Sequence, residues 1–120
     1  MKTILVADDK PSSRELVRTV LEHSGYQVVE ASDGAEALTK AREIVPALIL
    51  LDLQMPELGG FEVVEKLRGE SRFATTPIVA LTASAMHGDR ERALAAGFSS
   101  YITKPIRLAS LRNEVERLLG

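Results

Sequence analysis

Short apolar runs alternate along this chain with longer segments in which apolar residues recur every three or four positions, and the alternation repeats five times. The runs predict strands at Thr3–Ala7, Gln27–Ala31, Leu48–Leu51, Pro77–Leu81 and Ser100–Thr103. The first, third and fourth are nearly continuous Ile, Leu, Val and Ala, the pattern of strands covered on both faces. Between them, Leu16, Val17, Val20 and Leu21 form one helical stripe, Leu38, Ala41 and Val45 a second, and Leu108, Leu111, Val115 and Leu118 a third. Pro11 suits a first helical turn and Gly25 its end, Asp33 with Glu36 has the spacing of a capping box, and Gly69 and Gly97 close two later helices. The segment Met86–Ala96 is the helix least committed to a core. Its Asp89, Arg90, Glu91 and Arg92 are polar and leave Ala93, Leu94 and Ala96 to pack, which suits a mobile element or a docking surface.

Strict strand–helix alternation requires crossover connections, and these are right-handed in nearly all proteins. The expected fold is therefore α/β: a doubly wound, five-stranded parallel sheet with helices on both faces. At 120 residues the chain has room for one such domain, spanning 1–120, with no linker or repeat to divide it. It has no Cys, which removes disulfides, thiol nucleophiles and Cys-based zinc sites and agrees with a reducing compartment. Its 15 Lys+Arg against 17 Asp+Glu argue against non-specific nucleic-acid or anionic-membrane binding. The apolar run Ile4-Leu5-Val6-Ala7 is too short for a signal-peptide core, and Ala47–Leu51 is too short to span a bilayer, so a cytoplasmic location is expected. His23 and His87 are expected in solvent, and Met55 and Met86 against loops.

Open α/β sheets bind their ligands beyond the carboxyl ends of the strands, near the reversal of strand order. There the first strand ends in Asp8-Asp9, the third in Asp52, the fourth in Thr82-Ala83-Ser84 and the fifth in Lys104-Pro105. A parallel sheet sets all these ends on one edge, so three carboxylates, a hydroxyl and an ammonium converge. Carboxylates crowded together repel, and at least one is expected to have its pKa raised. Oxygen-only ligands with excess negative charge suit a hard divalent cation such as Mg²⁺. A cation beside a carboxylate and a lysine suits phosphoryl transfer, in which an aspartate oxygen can itself be the nucleophile.

The set Asp8-Asp9, Asp52, Thr82 and Lys104-Pro105 matches in order, position and spacing the response-regulator receiver domain, the CheY-like phosphoacceptor module of two-component signalling, which the chain resembles from end to end. The stretch Asp52-Leu53-Gln54-Met55-Pro56 followed by Gly60-Phe61-Glu62 fits the same pattern. The resemblance implies the flavodoxin-like strand order 2-1-3-4-5. It makes Asp52 the residue phosphorylated by a histidine kinase or histidine phosphotransfer protein. Asp9, Asp52 and the Gln54 backbone carbonyl would hold Mg²⁺, with Asp8 acting through water. Thr82 and the Ala83 amide would bind phosphoryl oxygens, Lys104 would pair with the group, and Tyr101 would be the switch aromatic. The Lys104–Pro105 bond would be cis, Gln54 and Ser84 would tune phosphoryl lifetime, and the readout surface would be the fourth helix, fifth strand and fifth helix. Two positions depart from the family pattern. Gly59 stands where Asp is usual, which would loosen that loop, and Arg107 replaces the usual cap of the last helix at a cost of ~1 kcal/mol.

Rival functions fit less well. A haloacid-dehalogenase-like phosphatase with an aspartyl-phosphate intermediate would carry a second Asp where Gln54 stands, and would need a cap domain. In an FMN binder, Asp8-Asp9 would repel the phosphate. A degenerate scaffold receiver would not keep the acidic set. The expected protein is thus a stand-alone regulatory switch rather than an enzyme, with a receiver cut from a hybrid histidine kinase as the alternative. It would assist its own phosphorylation and dephosphorylation, act on a downstream protein or relay the phosphoryl group, and be a monomer or a weak phosphorylation-dependent dimer.

Overall fold

Strands and helices alternate throughout the computed structural model, which describes residues 1–83 and 89–120. They are β1 (Thr3–Ala7), α1 (Pro11–His23), β2 (Gln27–Ala31), α2 (Gly34–Ile44), β3 (Leu48–Asp52), α3 (Gly60–Arg68), a 3₁₀ turn (Ser71–Phe73), β4 (Ile78–Thr82), α4 (Asp89–Ala96), β5 (Ser100–Thr103) and α5 (Leu108–Leu119). The strands form one parallel sheet in the order β2-β1-β3-β4-β5. Strand order reverses at β1, so the crevice between β1 and β3 is where this topology places a ligand.

Alternation within each strand sorts the core into two layers. Leu5, Ala7, Ile49, Leu51, Ile78 and Ala80 face α2, α3 and α4, where they meet Leu38, Val63, Val64, Leu67 and Ala93, with Phe98 from the turn after α4. Ile4, Val6, Leu48, Leu50, Val79 and Leu81 face α1 and α5, where they meet Val17, Leu21, Leu111 and Val115. All of β3 and β4 is buried, the reason those strands are apolar without alternation.

Several details differ from the sequence expectation. β3 runs on through Asp52, and β4 begins at Ile78 and includes Thr82, because the parallel ladder continues to Asp52↔Leu81 and Thr82↔Thr103. Leu16, Leu94 and Leu108 are 41%, 42% and 45% exposed: each helix packs a narrower stripe than its apolar residues mark out. Val45 does not continue the α2 stripe. It sits past the helix end with φ 43°, a left-handed conformation, its amide donating to the Ala41 carbonyl. The capping box at α2 is redistributed: the Asp33 carboxylate accepts from the Glu36 amide, while the Glu36 carboxylate accepts from the Ser32 amide rather than from Asp33. Met55 is buried in the core, and His23 is exposed; Met86 and His87 lie outside the described residues.

Two glycines set backbone spacings that no side chain allows. A Cβ on Gly34 would lie 2.0 Å from the Leu58 carbonyl oxygen, and one on Gly60 would lie 2.6 Å from the Asp52 carbonyl oxygen. The start of α3 is thereby pressed against the end of β3, with the Gly60 amide donating to the Leu53 carbonyl.

Candidate functional site

Sheet register alone assembles the site. Ala7 is opposite Leu51, so Asp8 and Asp52 follow at one level; Asp52 is opposite Leu81, which puts Thr82 one step on; Thr82 is opposite Thr103, which brings in Lys104. One carboxylate oxygen from each of Asp8, Asp9 and Asp52 lies within 4.8 Å of the others. Asp8 and Asp52 are buried and Asp9 is exposed, so the cluster opens to solvent on the Asp9 side.

Lys104 closes the cluster from β5. Its Nζ donates to Asp8 Oδ2 at 2.8 Å and to Asp52 Oδ2 at 3.1 Å. The other oxygens of both carboxylates are also engaged: Asp8 Oδ1 accepts from the Lys10 amide at 2.9 Å, and Asp52 Oδ1 from the Gln54 amide at 3.0 Å. Burial pushes the Asp52 carboxyl above its ordinary pKa, with Asp8's charge adding to the rise; the Gln54 amide and Lys104 oppose it. The expected raised carboxylate is therefore present, but desolvation rather than crowding is its leading cause. Burial also pulls the Lys104 ammonium down, yet its hydrogen bonds and pairing with Asp8 and Asp52 outweigh that and leave it raised.

The other predicted residues differ in where they stand. Thr82 is buried at the end of β4 and Ala83 is exposed beside it. Lys104 donates its amide to the Thr82 carbonyl, and the Lys104–Pro105 peptide bond is cis. The Gln54 side chain is exposed. Tyr101 lies farther from the cluster, half-buried opposite Ala80 on β5. Ser84 lies outside the described residues. Gly59 is the N-cap of α3 and Arg107 that of α5, and neither side chain caps its helix.

One participant escapes the sequence reading. Arg14 of α1 donates from Nη1 to the Asp8 carbonyl at 2.8 Å and from Nε to Glu30 at 3.2 Å, tying the β1–α1 turn to β2. Glu30 is held in turn by Arg18, and the two arginines keep its carboxyl below the ordinary range. An arginine on an amphipathic helix carries no signal that it reaches back to a strand end.

An oxygen-only donor set with three carboxylates and one ammonium leaves net negative charge, which a hard divalent cation fits. The chain matches the family described as response regulator receiver domain over residues 4–116. It is 38% identical over 119 residues to the polar-differentiation response regulator DivK of Brucella anthropi, covering 99% of this chain and 97% of that protein. Chemotaxis response regulator CheY4 of Vibrio cholerae superposes with a TM-score of 0.94 at 34% identity, covering 99% of each chain. The receiver domain of sensor histidine kinase PA1611 from Pseudomonas aeruginosa, solved with a magnesium ion coordinated in its active-site cleft, superposes with a TM-score of 0.91 at 34% identity, covering 99% of this chain and 98% of that one.

The chain belongs to the response-regulator receiver family. It is a CheY-like phosphoacceptor of two-component signalling, a regulatory switch. Receiver domains bind Mg²⁺ at an acidic site and work with histidine kinases or phosphotransfer proteins and with downstream targets.

Proposed function

We propose that residues 1–120 act as one receiver domain that takes a phosphoryl group from a phosphohistidine onto Asp52. The observation that carries this reading is the single ammonium of Lys104 shared by Asp8 and Asp52, two carboxylates buried at adjacent strand ends. Asp9, Asp52 and the Gln54 backbone carbonyl are the proposed ligands of Mg²⁺, with Asp8 acting through water. When bound, the cation neutralises charge on the transferred group.

The chain's own residues supply the rest. An Asp52 oxygen attacks phosphorus, the phosphorus–nitrogen bond of the donor breaks, and its electron pair returns to the imidazole. Lys104 and the Gln54 amide favour the carboxylate over the carboxylic acid, opposing the effect of burial on the nucleophile. Lys104 then pairs with the phosphoryl oxygens, and Thr82 and the Ala83 amide hydrogen-bond to them. Gln54 and Ser84, each two residues beyond a site residue in the sequence, tune how fast water hydrolyses the acyl phosphate, so the domain assists both its phosphorylation and its dephosphorylation. Tyr101 answers the movement of Thr82 and reshapes the face made by α4, β5 and α5, which a downstream protein reads. The proposed setting is the cytoplasm, in keeping with a chain that has no Cys.

Intact mass after incubation with acetyl phosphate tests the reading. One phosphoryl group should add in Mg²⁺, none in excess chelator and none to Asp52→Asn. Addition to Asp52→Asn, or addition indifferent to chelator, overturns the assignment.

A further inference from the structure

The three carboxylates of the cluster are not held alike. Asp8 and Asp52 have both oxygens engaged, one by the Lys104 ammonium and the other by the Lys10 or Gln54 amide. The Asp9 carboxylate is exposed and has no hydrogen bond or ion pair among the described residues. Its place within 4.8 Å of the other two is therefore set by the backbone that carries it.

That backbone is clamped one residue earlier. The Asp8 amide donates to the Ala31 carbonyl at 3.1 Å, and the Asp8 carbonyl accepts from Arg14 Nη1 at 2.8 Å. Because a peptide unit is planar, fixing the Asp8 carbonyl fixes the plane from which Asp9 departs. The guanidinium is itself held in place. Glu30 is opposite Val6 in the sheet, and strand alternation turns it to the same face as buried Val28, toward α1. There its two oxygens accept from Arg14 Nε at 3.2 Å and from Arg18 Nη1 at 2.8 Å. Arg14's side chain is only 17% exposed, so its rigid fork is committed to Asp8 and Glu30 rather than to water.

We propose that Arg14 is a positioning residue for divalent-cation binding: through the Asp8 carbonyl it holds Asp9 where its carboxylate reaches the same ion as Asp52. The inference rests on the reading of Asp9 as a Mg²⁺ ligand and adds the group that aims it. Charge separates it from a purely structural tie between the β1–α1 turn and β2. Two arginines share one glutamate, so the network is net positive and repels a cation. If Arg14 served the fold alone, its removal would tighten Mg²⁺ binding; if it aims Asp9, its removal weakens binding despite the lost repulsion.

Isothermal titration calorimetry of the full chain with Mg²⁺ alone tests this through a double-mutant cycle of Arg14→Met and Asp9→Asn. Arg14→Met should weaken binding about tenfold, the scale seen when a group supporting a metal ligand is lost. In the Asp9→Asn background the same change should cost less than about twofold, because the ligand being aimed is gone. Arg14→Lys keeps the charge and one donor for the Asp8 carbonyl, and should fall between Arg14→Met and the parent. Should Arg14→Met fail to fold, weaker binding by Arg14→Lys at unchanged net charge carries the test. Arg18→Met removes a cation from the same network but no bond to Asp8, and should stay within about twofold of the parent. Unchanged or tighter binding in Arg14→Met, an equal loss with and without the Asp9 carboxylate, or an equal loss in Arg18→Met overturns the inference. Parent-like binding by Asp9→Asn removes the ligand reading and this inference together, whereas weak binding by Asp9→Asn beside parent-like binding by Arg14→Met removes the inference alone.

Discussion

Asp52 is held in a state the fold opposes. Burial raises its pKa, so the native protein binds that proton more readily than the unfolded chain, and Asp52 costs stability increasingly as pH rises from the unfolded carboxyl range through its folded pKa. In chelator at neutral pH, Asp52→Asn should therefore be more stable than the parent, since the variant no longer places a charge where burial opposes it. Lys104 retains Asp8 in that variant, which avoids an unpaired buried ammonium. Urea midpoints between about pH 4 and pH 8 should show the difference shrinking as the parent's carboxyl protonates; a difference independent of pH would place its cause elsewhere. Glu30 has the opposite sign. Its carboxyl is depressed by Arg18 and Arg14, so its contribution is present above the unfolded carboxyl pKa and is lost as pH falls through the folded one. Val45 is a second residue held at a cost, a β-branched side chain at φ 43°. It is 45% exposed, so Val45→Asn loses little packing and should raise the thermal midpoint by the equivalent of about 1 kcal/mol.

Elements impose their own requirement on the site, through the approach of α3 to the end of β3. Gly60→Ala would place a methyl 2.6 Å from the Asp52 carbonyl, so one backbone must yield. The expected cost is about 1–3 kcal/mol by chemical denaturation, together with slower acceptance of a phosphoryl group from acetyl phosphate. Normal stability with normal kinetics in this variant would mean that the β3–α3 junction does not position Asp52. The sequence carries Gly59 in a loop and Gly60 in a family pattern but does not record this contact, because a glycine chosen for close approach looks the same as one chosen for a turn. Strands were legible almost to the residue and helices by their apolar stripes, since both periods follow directly from backbone geometry. Burial within them was less so: Leu16, Leu94 and Leu108 are apolar helix residues yet exposed, because periodicity marks the apolar side of a helix but not how much of it its neighbours cover.

At the scale of the molecule, the carboxylate cluster couples cation binding to folding. The unfolded chain has no such cluster, so Mg²⁺ should stabilise the parent by up to about 2.7 kcal/mol at a hundredfold excess over its dissociation constant. Asp9→Asn should gain much less over the same titration, read by thermal unfolding; equal gains in both would remove Asp9 from the ligand set. The sequence by itself determined the α/β class, the parallel sheet and the identity of the strand-end residues Asp8, Asp9, Asp52, Thr82 and Lys104, because each is written in local periodicity or at the end of an apolar run. Only the tertiary structure decided how they meet. Register set Asp8 and Asp52 against one ammonium, burial rather than repulsion became the main influence on Asp52, and Arg14 was drawn to the Asp8 carbonyl from another element. These are relations between segments far apart in the chain, and no local pattern records a distance, a desolvation or a shared partner.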